Sequence, residues 1–393
     1  MGGETPGPEL LCIGNALVDV YAGGDAFGLC SGLTKPVEHI GADRMGELLA
    51  ALSGGGAGFT ACSGGGAANA AKIAGLLGVR AGFIGVVGAC RAGGAGGQAG
   101  EAGGRPDRFG LLFSDELAGA GVLPFLRLAE KPTGVFFLLE MSGGERRIAA
   151  APSAALELRE DDIRAEDLRS ARVVVVDGYI LDRGELVRHI LDLADQSGTV
   201  AALDLGSPAL AESRAPDIAA YIRKYQMILF MNEDEAGAFY RALNGEPCPA
   251  SPPERAPPPR DEGEGRKPAG EAGRAGAGLR RETERFFKGL TAGGFFPIIV
   301  VKLGKRGSVV FAGGDLYREG TLPVVPLDPT GAGDAYCAAF LAAWLRDKPL
   351  HVCAGFGNKV ARETLDAPGT KLDRERLRRF AGMLNRGPPG RGA

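Results

Sequence analysis

Short apolar runs rich in β-branched residues recur along the chain, and helical patterns separate many of them. The runs are LLCIG (10–14), AGFIGVVG (81–88), RVVVVDGY (172–179), VAALDLG (200–206), MILFMN (227–232) and IIVVKLG (298–304). The helical stretches include AANAAKIAGLLG (67–78), RGELVRHILDLADQSG (183–198) and ETERFFKGLTAGG (282–294). A strand with one solvated face alternates apolar and polar residues. These runs are apolar throughout, so helices must cover both faces of a mainly parallel sheet. Ligands of such sheets bind beyond the carboxyl ends of the strands. The expected fold class is therefore α/β, with the chemistry sought where the runs end.

Two segments break the alternation. Residues 21–60 are Gly-rich and weakly patterned, and PTGVFFLLEMSGGERRIAA (132–150) reads as a hairpin around a Ser-Gly-Gly turn. Both suit a small β appendage over the ligand edge, whether a lid or an ordinary edge extension. Much of the excess among the 64 glycines sits in 91–106 and in a Pro/Gly-rich stretch over 245–278. Both read as flexible insertions too poor in apolar surface to order themselves.

Composition narrows the function classes. A net charge of −3 without a basic run offers no surface for nucleic acid or an anionic membrane. No apolar run reaches the roughly 18 residues of a membrane span. The first apolar stretch lacks a basic flank and reads as a strand rather than a signal peptide. Seven scattered cysteines without a CxxC pair, and three distant histidines, point to reduced thiols in a cytoplasmic protein and not to a zinc framework.

Five motifs carry possible chemistry, and each also has an ordinary structural reading. In DPTGAGDAYCAAFLAAWL, Gly331 and Gly333 let backbone N–H groups converge at a helix start, where anions bind. Asp334 follows, either as a base for a hydroxyl or as a first-turn charge. In CSGGGAANAAKIAGLLG, glycines permit close approach and Asn69 could meet ligand hydroxyls, or the segment is a crowded turn with Asn69 solvated. In LCIGNALVDV, Asn15 and Asp19 suit a polyol, or form an Asx turn. In MNEDEA, Asn232 and Glu235 face one way and suit Mg2+, or simply cap a helix. In VVKLGKRGS, a nucleotide could lie over the glycine turn, or the segment is a plain hairpin.

Taken together, GNALVD, GGAAN, NEDE, VKLGKRGS and DPTGAGD occur in the order of motifs in the PfkB (ribokinase-like) family of carbohydrate and nucleoside kinases. The resemblance runs from about residue 9 to 372, the two insertions aside, and is greatest to the bacterial adenosine-kinase-like branch. It implies one PfkB-type kinase domain over 1–393: a three-layer sandwich with a β-sheet lid built from about 21–60 and 132–150. It implies Asp334 as general base and Gly331, Ala332 and Gly333 as anion hole for the transferring phosphoryl group. Asn15, Asp19, Gly65, Gly66 and Asn69 would hold the acceptor, and Lys302, Gly304, Gly307 and Asn358 would lie near ATP. Asn232 and Glu235 would position Mg2+ through water, and some members bind K+ beside segments matching 328–330 and 362–371. The implied activity is transfer of the γ-phosphate of ATP to a hydroxyl of a sugar or nucleoside, by a monomer or homodimer. A catalytically idle sugar or nucleoside sensor on the same fold is the alternative. The insertion at 91–106 falls where the family carries a short GxDxFG loop, of which PDRFG (106–110) keeps the end.

Overall fold

The computed structural model describes residues 7–23, 33, 37–54, 59–90, 104–140, 146–245, 279–324, 326–327, 330–365 and 373–384. The strands of the first third are β1 Leu10–Ile13, β2 Leu17–Ala22, β3 Val37–His39, β4 Phe59–Gly64, β5 Ala81–Gly88 and β6 Val122–Ala129. There follow β7 Gly134–Glu140, β8 Arg146–Ala151, β9 Val173–Asp177, β10 Val200–Asp204 and β11 Met227–Asn232. The last three are β12 Ile298–Lys302, β13 Ser308–Ala312 and β14 Asp315–Glu319.

Nine of them form one sheet in the order β14-β13-β12-β11-β10-β9-β1-β5-β6. All neighbours from β12 to β6 run parallel, and only β13 and β14 are antiparallel additions. Every apolar run expected as a strand is one. Alternate residues serve opposite faces: Val173 and Val175 pack into one buried cluster, Val174 and Val176 into the other. Helices cover both faces, which is why neither set of side chains needed to be polar. The two strands missed by pattern, β6 and β14, lie at the sheet's edges. There the apolar signal is diluted by exposed positions: Leu123 and Phe125 in β6, and Asp315 and Arg318 in β14.

The second sheet has five strands in the order β3-β8-β7-β2-β4. Its β7–β8 pair is the expected hairpin. Within 21–60, helix α1 (Ala42–Gly54) was not expected, because glycines and alanines weaken its pattern. Its Met45, Leu48 and Leu52 recur at helical spacing and are buried. Asp19, expected beyond a strand edge, lies inside β2.

Body and lid are stitched by short crossings. Residues 14–16 join β1 to β2, and Gly65 alone joins β4 to helix α2 (Gly66–Leu76). Residues 130–133 join β6 to β7, where Thr133 Oγ1 donates to Asp107 Oδ1 at 2.7 Å and accepts from Gly88 N at 2.8 Å. Asp107, from the PDRFG segment, also caps helix α3 (Arg108–Gly119). The expected flexible insertions fall at 91–103 and 246–278 outside the described residues; at the base of the first, Ala89 pairs with Pro106 in an antiparallel bridge. Among the described residues no helix is long and apolar enough to cross a membrane.

Candidate active site

Four adjacent parallel strands end on polar side chains: β9 on Asp177, β10 on Asp204, β11 on Asn232 and β12 on Lys302. Register aligns them, with Asp177 opposite Asp204 and Asn232 opposite Lys302. Lys302 Nζ donates to both oxygens of Asp204, at 2.8 and 3.0 Å. Above this row lies a cavity of about 180 Å³, into which Asp177, Asp204, Glu235, Lys302, Gly333 and Asp334 project.

Gly331, two residues before the cavity-lining Gly333, has φ of 79°, a left-handed turn that side-chain-bearing residues resist. The turn feeds directly into the helix Ala332–Trp344, whose later residues are almost all buried, so its N-terminus is fixed against the cavity. A Cβ at Gly333 would lie 3.3 Å from Lys302 Nζ, which places the ammonium over the expected anion hole. Asn69 Nδ2 donates to Asp334 Oδ2 at 2.9 Å, while Asn69 Oδ1 is buried without a partner among the described residues. Burial pushes the Asp334 carboxyl up to about 7. The Asp204 charge adds to this, and the Asn69 hydrogen bond and Lys302 oppose it.

The remaining acceptor candidates gather on the lid side. Gly65 has φ of 92°, and a Cβ there would lie 2.5 Å from the Asn15 carbonyl oxygen. At Gly66 a Cβ would come within 3.4 Å of Asp334 Oδ1, so this glycine keeps space beside the acid. Asn15 is buried and accepts from Arg183 Nη2 at 2.9 Å through Oδ1, which leaves its amide hydrogens unspent on that bond. Asp19 is buried, and burial pushes it up to about 7. Asp177 is also raised by burial, to about 6, against hydrogen bonds from the Tyr179 and Asn15 backbones.

Asn232 and Glu235 engage each other. Asn232 Oδ1 accepts from Glu235 N, and Glu235 accepts from Asn232 N and Nδ2, all at 2.8 Å. The motif therefore closes as a capping box at the start of the Glu233–Asn244 helix. Gly304 and Gly307 shape the β12–β13 connection, where Leu303 N donates to Gly307 O at 2.8 Å. Asn358 donates to the carbonyls of Glu319 and Gly320 at 3.0 and 3.3 Å, bracing the end of β14. Of the four expected nucleotide-side residues, only Lys302 lines the cavity. The K+ segments fall partly outside the described residues, at 328–329 and 366–371. Among the described residues no three His, Cys, Asp or Glu side chains cluster to hold a metal ion.

Sequence reasoning missed Asp177, Asp204 and Arg183. The signal for the first two was available: each is the first acid after an apolar parallel run, where ligands of α/β sheets bind.

A doubly covered parallel sheet, a β-sheet lid and an acid in the first turn behind a glycine turn define a ribokinase-like protein. The chain belongs to the pfkB family of carbohydrate kinases, whose family model matches residues 100–254 and 280–376. It is 36% identical over 98 residues to a nucleoside kinase of Methanothermobacter thermautotrophicus, covering 24% of this chain and 31% of that protein. It is 31% identical over 95 residues to the 2-dehydro-3-deoxygluconokinase of Haemophilus influenzae, covering 23% and 29%. The matched stretches thus span under a third of these relatives. The structure is similar to adenosine kinase from Sinorhizobium meliloti, with TM-score 0.70 and 23% identity over 96% of this chain and 99% of that one. It is similar to a probable sugar kinase from Rhizobium etli, with TM-score 0.70 and 21% identity over 96% and 100%. These structural likenesses extend the family fold over the N-terminal motifs that precede residue 100.

Proposed function

We propose that the protein transfers the γ-phosphoryl group of ATP to a hydroxyl of a sugar or nucleoside. The observation that carries this is the Asp334 site: a carboxylate held near neutrality, hydrogen-bonded by Asn69, beside the left-handed Gly331 turn and the Lys302 ammonium. Phosphoryl transfer asks for positioning and charge stabilisation more than covalent help. Asn15, Asp19 and Asn69 hold the acceptor's hydroxyls, and the unpartnered Asn69 Oδ1 accepts from one of them. Asp334 takes the proton of the reacting hydroxyl as it attacks; a base near neutral is matched to that task. The amides of Gly331, Ala332 and Gly333 receive the charge that develops on the phosphoryl oxygens, with Lys302 beside them.

The donor set also fits a hydrated Mg2+. Glu235 spends one lone pair of each oxygen on Asn232 and keeps the others, so Asn232 and Glu235 would hold the ion's hydration shell. When bound, Mg2+ neutralises phosphate charge. The names of the relatives support an acceptor among nucleosides and sugar acids as well as simple sugars.

The test is ADP release measured over a panel of nucleosides, pentoses, ketohexoses and 2-keto-3-deoxy sugar acids. Turnover on at least one acceptor is expected, with Asp334→Asn lowering kcat by about 10²–10⁴-fold while ATP still binds. Near-wild-type turnover by that variant removes Asp334 from the role of base. Tight acceptor binding without ADP release, across the whole panel, replaces the kinase by a sensor on this fold.

A further inference from the structure

One buried charge has no part in that chemistry. Lys72 lies one helical turn beyond Asn69 on α2 and is 5% exposed. Its Nζ donates to Ser63 O at 2.6 Å and to Ser63 Oγ at 2.7 Å. Ser63 in turn donates through both N and Oγ to Glu116 Oε2, at 2.8 and 2.7 Å. Lys72 Nζ lies 4.0 Å from the same Glu116 oxygen. The chain of contacts therefore runs from α2 through lid strand β4 to α3. Isolated ammonium groups are seldom buried, because the desolvation penalty favours the neutral form. Burial lowers the Lys72 ammonium below its ordinary value, and Glu116, Cys62, Asp19 and Asp334 oppose that shift.

Asp19 adjoins this cluster through Gly64. Its carboxylate packs on Gly64, the residue after Ser63: a Cβ at Gly64 would lie 2.2 Å from Asp19 Oδ1. The elements around Asp19 contribute few charges. Lys72 comes from α2 and Glu116 from α3, and these are the two side-chain charges that act on it most. On β4 its register partner is Cys62, and on β7 it is the uncharged Phe136. Asp334, from the far wall of the site, acts on Lys72 as well. Burial alone drives Asp19 toward its neutral form, Lys72 opposes this, and Glu116 adds to it.

We propose that Lys72 is a positioning residue for acceptor binding: pinned by Ser63 behind the lid strand, its ammonium keeps Asp19 ionised so that it can grip an acceptor hydroxyl. Glu116 tempers that charge from the other side of Ser63. The inference rests on Asp19 being an acceptor ligand, as proposed above. It makes Lys72 a determinant of acceptor affinity that never touches the acceptor.

The test reads Asp19 directly. In the unliganded full chain, the Asp19 carboxyl is titrated by ¹³C NMR and assigned by its loss in Asp19→Asn. Lys72→Met is expected to raise the midpoint by about one pH unit or more, and Glu116→Gln to lower it. Opposite shifts are the signature, since a merely structural loosening moves both variants the same way. The kinetic arm uses whichever panel acceptor gives the most ADP release. At pH 7 its KM is expected to rise about fivefold in Lys72→Met with the ATP KM unchanged, and Lys72→Arg recovers most of the loss. If Lys72→Met does not fold, Glu116→Gln and Lys72→Arg carry the comparison. An Asp19 midpoint that ignores both substitutions, or follows both in one direction, overturns the proposal. Absence of any acceptor turnover in the wild type defeats the kinase reading alone, because the titration needs no substrate.

Discussion

At the scale of single residues, Asp334 links activity to stability through one proton. Its folded carboxyl sits near 7, far above the roughly 3.9 of an unfolded aspartate. A group raised in this way favours the folded state below the unfolded value and loses that contribution as pH rises through the folded one. Asp334→Asn is therefore expected to gain stability relative to wild type between about pH 4 and 7, read by urea unfolding at several pH values. Turnover has the opposite slope, because only the ionised form accepts a proton: wild-type kcat/KM should climb through pH 7. A stability difference flat in pH would show that the acid is not buried as described.

The same scale shows what was legible in the sequence. Asp334 and Asn69 stood out because glycines next to a polar residue at a helix start leave a readable pattern. The pairing of Asp204 with Lys302 did not, since the two are 98 positions apart and strand register alone brings them together. Lys72 was hidden in a helical pattern, where a lysine ordinarily marks a solvated face. Here α2 is enclosed nearly all round, so the face that should be wet is not. Contacts that depend on layering cannot be read from local spacing.

Among the elements, the Glu233–Asn244 helix starts with NEDE closed as a capping box. Asn232 and Glu235 also line the cavity, which is what the proposed Mg2+ role draws on. Asn232→Ala should cost about 1 kcal/mol in urea unfolding, as loss of an N-cap does. If the pair also steadies a hydrated ion, the same variant raises the Mg2+ concentration needed for half-maximal activity. Loss of stability without that change would reduce the motif to a cap. The strands tell a similar story: covered β9 to β12 were plain in the sequence, whereas edge strands β6 and β14, which expose some of their side chains, were not.

For the whole molecule, the placement of the crossings between body and lid matters most. Gly65 is both the single link from β4 into α2 and a neighbour of Asn15, proposed above as an acceptor ligand, its Cα facing the Asn15 carbonyl. Gly65→Ala forces a side chain into a left-handed conformation at about 1–2 kcal/mol and pushes on Asn15. Acceptor kcat and KM are expected to worsen together, as hinge substitutions do, while ATP affinity holds. A variant with altered stability but unchanged acceptor kinetics would uncouple the hinge from the site.

Asn15 occupies the first crossing and Gly65 the second, so the acceptor groups proposed above sit on the segments that join the two sheets. On that proposal, acceptor choice and the joint between the sheets are inherited as one trait. A lineage that drifts toward a new sugar or nucleoside by changing these positions also resets how its second sheet is hung on the first, and must re-tune the two together.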